Sequence, residues 1–174
     1  MKYKDAVKQS MEMLAKDPRT IFLGYNVCFG SKAYGTLETI SKSKKIEMPV
    51  AENLIMSSAI GLSIEGYRPI VFFERHDFTL IALDSMVNHL DKIEKMSREE
   101  FKTPVIIRAV VGSKKPLDSG LQHTQDFSRI FREIFSFSVY GPKNPAEVLD
   151  VYNSLKDLEK TAMIIEKKDL YESP

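Results

Sequence analysis

The sequence predicts an α/β protein, a three-layer α/β/α arrangement around a mostly parallel sheet of about six strands. Three observations predict it. Apolar runs of strand length alternate with segments of helical periodicity from Thr20 to the end of the chain. Pro104 to Val111 reads as one continuous apolar strand, the pattern of a strand covered on both faces. The stretch Met48-Pro49-Val50-Ala51-Glu52-Asn53-Leu54 carries a strand straight into a long apolar segment. That junction sets Glu52 at the carboxyl edge of the sheet, where open α/β sheets bind ligands.

Each element has its own signal. Tyr3, Ala6, Val7, Ser10, Met11 and Leu14 recur at helical spacing, and Asp17-Pro18 stops that helix because proline disfavours helical geometry in the residue before it. Thr20 to Gly24 is a short apolar strand. Tyr25 to Thr36, rich in turn-forming glycine, reads as a loop, and Thr36 to Ser43 is expected to hold a short helix. Lys45 to Val50 is the second strand. Asn53 to Glu65 is apolar round nearly its whole circumference, so it is expected to be buried on both sides, with Gly66 ending it. Arg68 to Phe73 is a strand whose proline sits near its start, where proline is tolerated.

Phe78 to Ile93 reads as a second apolar helix. Gly112 to Gly120 is a polar loop containing Pro116. Thr124 is expected to cap a helix whose Phe127, Ile130, Phe131, Ile134 and Phe135 keep the spacing of one helical face. Ser136 to Tyr140 is a strand. Asn144-Pro145-Ala146-Glu147 supplies a cap, a first-turn proline and a carboxylate three residues after the cap; Val148, Val151, Tyr152 and Leu155 line the inner face of the helix that follows. Ala162 to Ile165 is the last strand. The Asn53–Glu65 and Phe78–Ile93 segments carry more apolar surface than one sheet face requires, and a partner usually covers such surface.

At 174 residues the chain is one domain, long enough to bury roughly 70% of its unfolded surface without staples. Lys and Arg total 25 against 24 Asp and Glu, a net charge of +1, which offers no field for a phosphate backbone and argues against nucleic acid. A lone cysteine, Cys28, excludes an internal disulfide framework and fits a reducing compartment. No apolar run reaches bilayer length, and nothing apolar follows Met1-Lys2-Tyr3-Lys4-Asp5 to make a signal peptide, so no membrane association is expected and the expected location is the cytoplasm. Mechanically, Glu52 could do no more than complement the dipole of the helix it starts. Phe78 could be core packing, and His123 a loop histidine bonded to backbone.

Four blocks in order change that balance. Met48-Pro49-Val50-Ala51-Glu52, with Ala59-Ile60-Gly61-Leu62 and Glu65-Gly66-Tyr67-Arg68-Pro69-Ile70, is the first. Asp77-Phe78 with Asp84-Ser85-Met86-Val87-Asn88 is the second, Gly120-Leu121-Gln122-His123-Thr124-Gln125 the third, and Glu166-Lys167-Lys168-Asp169-Leu170-Tyr171 the fourth. Together they resemble, over essentially the whole chain, the pyrimidine-binding domain of thiamine-diphosphate enzymes. The most similar form is the β subunit of the decarboxylating component of 2-oxo acid dehydrogenases, with transketolase and deoxyxylulose-phosphate synthase as more distant relatives.

The resemblance implies roles. By position Glu52 is the glutamate that hydrogen-bonds the aminopyrimidine ring of thiamine diphosphate and shares a proton with it, and Phe78 is the aromatic stacked on that ring. Glu74 falls in the cofactor pocket. His123, with Gln122 beside it, faces the substrate, a 2-oxo acid or a ketose-like sugar; a helix capped by Thr124 would bring its positive end next to the imidazole. His76 and His89 match no role and are read as surface residues or as residues behind the site.

Three departures accompany the likeness. Tyr25-Asn26 stands where the family carries acids associated with communication between paired sites, Ser113 to Asp118 replaces a glycine-rich loop, and Glu74 and Arg75 bring charge to a pocket that is usually less charged. The Gly-Asp-Gly…Asn motif that holds Mg²⁺ and the diphosphate is absent, as is the usual C-terminal domain, so residues 1–174 are expected to be a single domain supplying half a site. The rest is expected from a separate diphosphate-binding α-type subunit, carrying the Mg²⁺, in a dimer or α₂β₂-like assembly. A split transketolase, a 2-oxo acid decarboxylase subunit, a non-catalytic partner domain and a truncated piece of a longer subunit are the alternatives.

Overall fold

Six strands make one sheet: β1 Thr20–Gly24, β2 Lys45–Glu47, β3 Arg68–Phe73, β4 Ile106–Val111, β5 Ser138–Tyr140 and β6 Ala162–Lys167. The structure, a computed structural model, describes residues 1–115 and 118–174, so the expected loop position of Pro116 lies outside the described residues. The strands lie in the order β2-β1-β3-β4-β6-β5, and every adjacent pair is parallel. The helices are α1 Tyr3–Leu14, α2 Glu52–Ile64, α3 Ile93–Met96, α4 Ser128–Ile134 and α5 Pro145–Lys156. Alternation along the strands sorts the core into two clusters. Phe22, Ile70, Phe72, Ile106 and Ile164 face α1 and α5. Leu23, Val71, Phe73, Ile107 and Met163 face α2, α4 and the segment after β3. The result is the expected three-layer α/β/α fold.

On the α1/α5 side sits a buried ion pair that the apolar reading of Pro104 to Val111 passed over. Arg108 and Glu166 project from adjacent strands to the α1/α5 side, and neither side chain is exposed. Nε of Arg108 donates to Oε1 of Glu166 at 2.7 Å and Nη2 to Oε2 at 3.1 Å. Nη2 also reaches the Thr36 hydroxyl at 3.1 Å, in the long connection from β1 to β2. The hydroxyl of Tyr152, on α5, donates to Oε1 at 3.3 Å, and the hydroxyl of Tyr171 donates to Oε2. The guanidinium lies 5.3 Å over the Phe72 ring.

The element ends follow local chemistry where it was read correctly. Gly66, at φ 89°, ends α2 in a Schellman turn, with Tyr67 N–H donating to the Leu62 carbonyl at 3.0 Å. The Asn144 side chain accepts from Glu147 N–H at 3.0 Å and caps α5 as its sequence predicts.

Elsewhere tertiary contacts override the pattern. Phe78 to Ile93 is not one helix: a 3₁₀ segment His76–Ala82 is followed by a π turn Ser85–Leu90 and then α3. The cause is at its start, where His76 and Asp77 are buried against the 125–127 backbone, while Leu80 and Ile81 face outward. The same contacts correct the start of α4. The N–H groups of Gln125 and Phe127 are bound by Asp77 and His76, so the helix begins only at Ser128. Thr124 donates to the Gly120 carbonyl instead of capping. In Thr36 to Ser43 no helix forms; Ser41 caps a single 3₁₀ turn, Lys42–Lys44. α2 is covered on one side only: Ile55, Met56, Ala59 and Ile60 are buried, while Leu54 and Ile64 are exposed. Among the described residues no helix is long and apolar enough to cross a membrane.

The ion pair sets a stability test. Glu166→Ala leaves the Arg108 charge buried and unpaired, so it is expected to lower unfolding free energy by about 3–5 kcal/mol in urea titration. Replacing both residues by leucine is expected to recover most of that loss.

Candidate functional site

The chain leaves β1 towards one edge of the sheet, to β2, and leaves β3 towards the other, to β4. A crevice opens at such a reversal, at the carboxyl ends of the strands. Here it is a pocket of about 230 Å³. Tyr25 enters from the end of β1, Val50, Glu52 and Ile55 from the junction into α2, Phe72 to Arg75 from the end of β3, Phe78 from the 3₁₀ segment, and His123 from the loop before α4. A larger hollow of about 430 Å³, lined by Glu94, Lys95, Thr103 and Lys160 among others, lies at the opposite, amino edge and contains none of the candidate site residues Glu52, Glu74, Phe78, Gln122 and His123. The carboxyl-edge pocket is therefore taken as the site.

Glu52 is the first residue of α2, following Ala51. Its position comes from the extended stretch Met48 to Ala51, pinned to the end of β1 by Met48 N–H donating to the Gly24 carbonyl at 2.9 Å. The side chain is 9% exposed and has no hydrogen-bond partner among the described residues. Its carboxylate stands beside the free N–H groups of the helix's first turn. Across the pocket the Phe78 and His123 rings meet edge to face, centroids 5.2 Å apart at 88°.

Glu74 also lines the pocket, but its carboxylate works on the loop after β1. Oε2 accepts from Asn26 Nδ2 and Oε1 from the Ser31 hydroxyl, both at 3.0 Å. Gln122 is exposed and outside the lining. His123 ends a 3₁₀ turn, Leu121–His123, and the start of α4 lies five residues on, so the expected neighbouring helix end is not there.

What holds His123 in place was not read from sequence. The Asp77 carboxylate, 6% exposed, accepts from the backbone N–H and the side-chain amide of Gln125, each at 3.1 Å. His76, read as a surface residue or one behind the site, is fully buried, and its Nε2 accepts from Phe127 N–H at 3.0 Å. On the other side Gly112 packs against the His123 carbonyl so closely that an added Cβ would lie 2.0 Å from the oxygen. A second unforeseen carboxylate, Glu47, accepts from the N–H groups of Asn26, Val27 and Cys28 at 2.6, 3.0 and 2.6 Å, fixing the turn that carries Tyr25. Asn26 takes a left-handed conformation there, φ 59°. His89 is exposed on the far side of the 3₁₀ and π segment, 3.8 Å from Asp84.

The family profile described as transketolase, pyrimidine binding domain, matches residues 1–174. The chain belongs to this family. Among curated relatives the domain is 26% identical over 177 residues to the 2-oxoisovalerate dehydrogenase subunit beta of Bacillus subtilis, covering 98% of this chain and 53% of that protein. It is 28% identical over 144 residues to the pyruvate dehydrogenase E1 component subunit beta of Rickettsia conorii, covering 80% of this chain and 44% of that one. The chain thus spans about half the length of the curated relatives it matches. A solved structure titled "Split gene transketolase, inactive beta4 tetramer" shares the fold at TM-score 0.73 and 18% identity, covering 99% of this chain and 50% of that one. Within this pyrimidine-binding domain, Glu52, Glu74, Phe78 and His123 converge on one pocket, and Gln122 does not. Asp77, His76 and Glu47 had a faint sequence signal at most: polar residues flanking Phe78 and the second strand, with no spacing that reveals their partners.

Burial lowers the His76 pKa from 6.5 to about 4. Between those values the unfolded chain takes up a proton that the native chain refuses, so stability falls as pH drops from about 6.5 and levels off below about 4. His76→Gln, which keeps an acceptor towards Phe127, is expected to remove up to about 3 kcal/mol of that acid-side loss. Urea titrations of both proteins at pH 7 and pH 4.5 measure the difference; parallel losses in the two would show that His76 does not titrate this way.

Proposed function

We propose that this chain is the pyrimidine-binding component of a thiamine-diphosphate enzyme acting on a 2-oxo acid or ketose-like substrate, with its site completed by a separate diphosphate-binding, Mg²⁺-carrying subunit. The observation that carries the reading is the Glu52 carboxylate, without a partner among the described residues, nearly buried at a helix start and opening into an aromatic-walled pocket.

The pocket fits the group. Val50, Ile55 and Phe78 offer apolar surface to the faces of a planar ring, and Glu52 is the one lining carboxylate with no protein partner among the described residues. When bound, the cofactor supplies an electron sink for cleavage or formation of a bond next to a carbonyl. Glu52 would share a proton with a ring nitrogen, in a nearly buried place that would strengthen the hydrogen bond. Phe78 would pack on the ring and keep water from that face. His123, braced edge-on by Phe78, presents an imidazole that can accept or donate a proton to substrate. Glu74 acts indirectly by holding the 26–31 loop at the pocket rim. Gln122, at the exposed end of the same turn, is close enough in sequence to meet substrate entering from the partner side.

The names of the relatives support the two-chain reading: beta subunits of 2-oxo acid dehydrogenases and a transketolase encoded in split genes. An α-type partner and a dimer or α₂β₂-like assembly follow from it, and cytoplasmic location is part of the same reading. Product analysis of the complex separates the chemistries: acyl transfer, aldehyde release, or a two-carbon shift onto an aldose.

In the complex of this chain with its diphosphate-binding partner, Glu52→Gln is expected to lower cofactor-dependent turnover at least about 100-fold while the complex still assembles. Turnover within a few fold of the parent would remove Glu52 from the mechanism.

A further inference from the structure

Arg75 lines the same pocket as Glu52, Phe78 and His123, yet it forms no ion pair among the described residues. Its Nη1 donates to the Glu74 carbonyl at 3.0 Å, its Nε is buried with no acceptor, and its Nη2 makes no hydrogen bond among the described residues. Of the nearby carboxylates, Glu74 is held by Asn26 and Ser31, and Asp77 binds Gln125 through Oδ1 alone; its buried Oδ2 has no hydrogen-bond partner among the described residues, and its charge acts on Arg75 without an ion pair. The stem of Arg75 lies 3.6 Å from the position a Cβ on Gly112 would take, beside the His123 carbonyl, and its guanidinium is 5.6 Å from the Tyr34 ring centroid. A second cation, Lys168, with no ion pair among the described residues, sits on the same ring at 3.9 Å. Burial lowers the pKa of Arg75, and the Lys168 pKa is lowered by burial and then by Lys4 and Arg75. A half-buried guanidinium with a free edge and no ion pair among the described residues is a site for a carboxylate or phosphate, which it binds through two parallel N–H donors.

We propose that Arg75 is a specificity-determining residue that binds an acidic group on the substrate's tail, carboxylate or phosphate, in addition to the reacting carbonyl end. This rests on the reading of the pocket as a thiamine-diphosphate half-site, and it narrows the substrate to an acidic-tailed 2-oxo acid or a phosphorylated ketose. An aliphatic tail would leave the guanidinium desolvated and unpaired, so discrimination against it is built into the pocket.

The test uses the assembled, cofactor-loaded complex with three probes: 2-oxoglutarate, xylulose 5-phosphate and 2-oxoisovalerate. Wild type is expected to favour one of the first two, and which one it favours distinguishes a carboxylate from a phosphate tail. Arg75→Gln is expected to raise KM for the favoured probe tenfold or more with a smaller change in kcat, and to change KM for 2-oxoisovalerate by a clearly smaller factor. Arg75→Lys, which keeps the charge but not the fork, is expected to fall between. Preference of the wild type for 2-oxoisovalerate, or equal effects of Arg75→Gln on all probes, overturns the proposal while leaving the half-site reading intact. Thermal shifts of the complex with 2-oxoglutarate and xylulose 5-phosphate are measured in parallel without turnover. A shift lost in Arg75→Gln supports the anion site even if no cofactor-dependent turnover is found, which would instead be the failure of the half-site reading; no shift with either probe overturns the anion site.

Discussion

The Arg108–Glu166 pair ties together more of this molecule than any other contact. Its two members stand on β4 and β6, at the centre of the sheet, and its hydrogen bonds gather the β1–β2 connection through Thr36, α5 through Tyr152 and the C-terminal turn through Tyr171. Tyr171 in turn stacks on Tyr3 of α1 at 5.9 Å, and the Tyr3 hydroxyl donates to the Pro142 carbonyl. Burying two charges costs several kcal/mol each, and only a well-directed pair with further hydrogen bonds offsets it. The phenols are shaped by the same charge: burial first, and then the Glu166 carboxylate, push the pKa values of Tyr152 and Tyr171 up and keep both as donors. A register shift of one residue in β4 or β6 would turn one partner to the opposite face, so the pair also fixes the pairing of the strands.

That fixed sheet presents the site. Three carboxylates near the carboxyl edge hold neighbouring segments in place: Glu47 the turn after β1 through backbone N–H groups, Glu74 the loop beyond it through the Asn26 and Ser31 side chains, and Asp77 the segment before α4 through Gln125. Glu52 differs from them in having no such task among the described residues. The contrast is chemical as well as geometric. A carboxylate satisfied by backbone N–H groups has its lone pairs spoken for, whereas one held only by its place at a helix start keeps them for a ligand. Arg75 is the cationic counterpart, a guanidinium with donors left over and no ion pair among the described residues.

Glu52 was legible in the sequence because it stands between two strong local signals, the end of a strand and the start of an apolar helix. Phe78 and His123 were legible through the blocks that contain them, not through periodicity. The pattern misled where polar side chains reach across the fold. Phe78 to Ile93 has the apolar spacing of a helix, but burial of His76 and Asp77 against residues 125–127 makes the chain turn more tightly there. The start of α4 was displaced by the same two bonds, since N–H groups that would begin the helix are bound to other acceptors. Arg108 sits inside a strand that otherwise reads as apolar, and no local rule says that its partner is Glu166, 58 residues away.

By itself the sequence determined the alternation of strands and helices, hence a parallel sheet covered on both faces, because hydrophobic period and turn chemistry are properties of neighbouring residues. It determined the caps at Gly66 and Asn144 for the same reason. Only the tertiary structure decided which side chains of the sheet edge are engaged and which are free, because each such bond joins residues from separate elements. Whether a carboxylate or guanidinium is available for chemistry depends on those distant partners and on burial, and neither is written in local spacing.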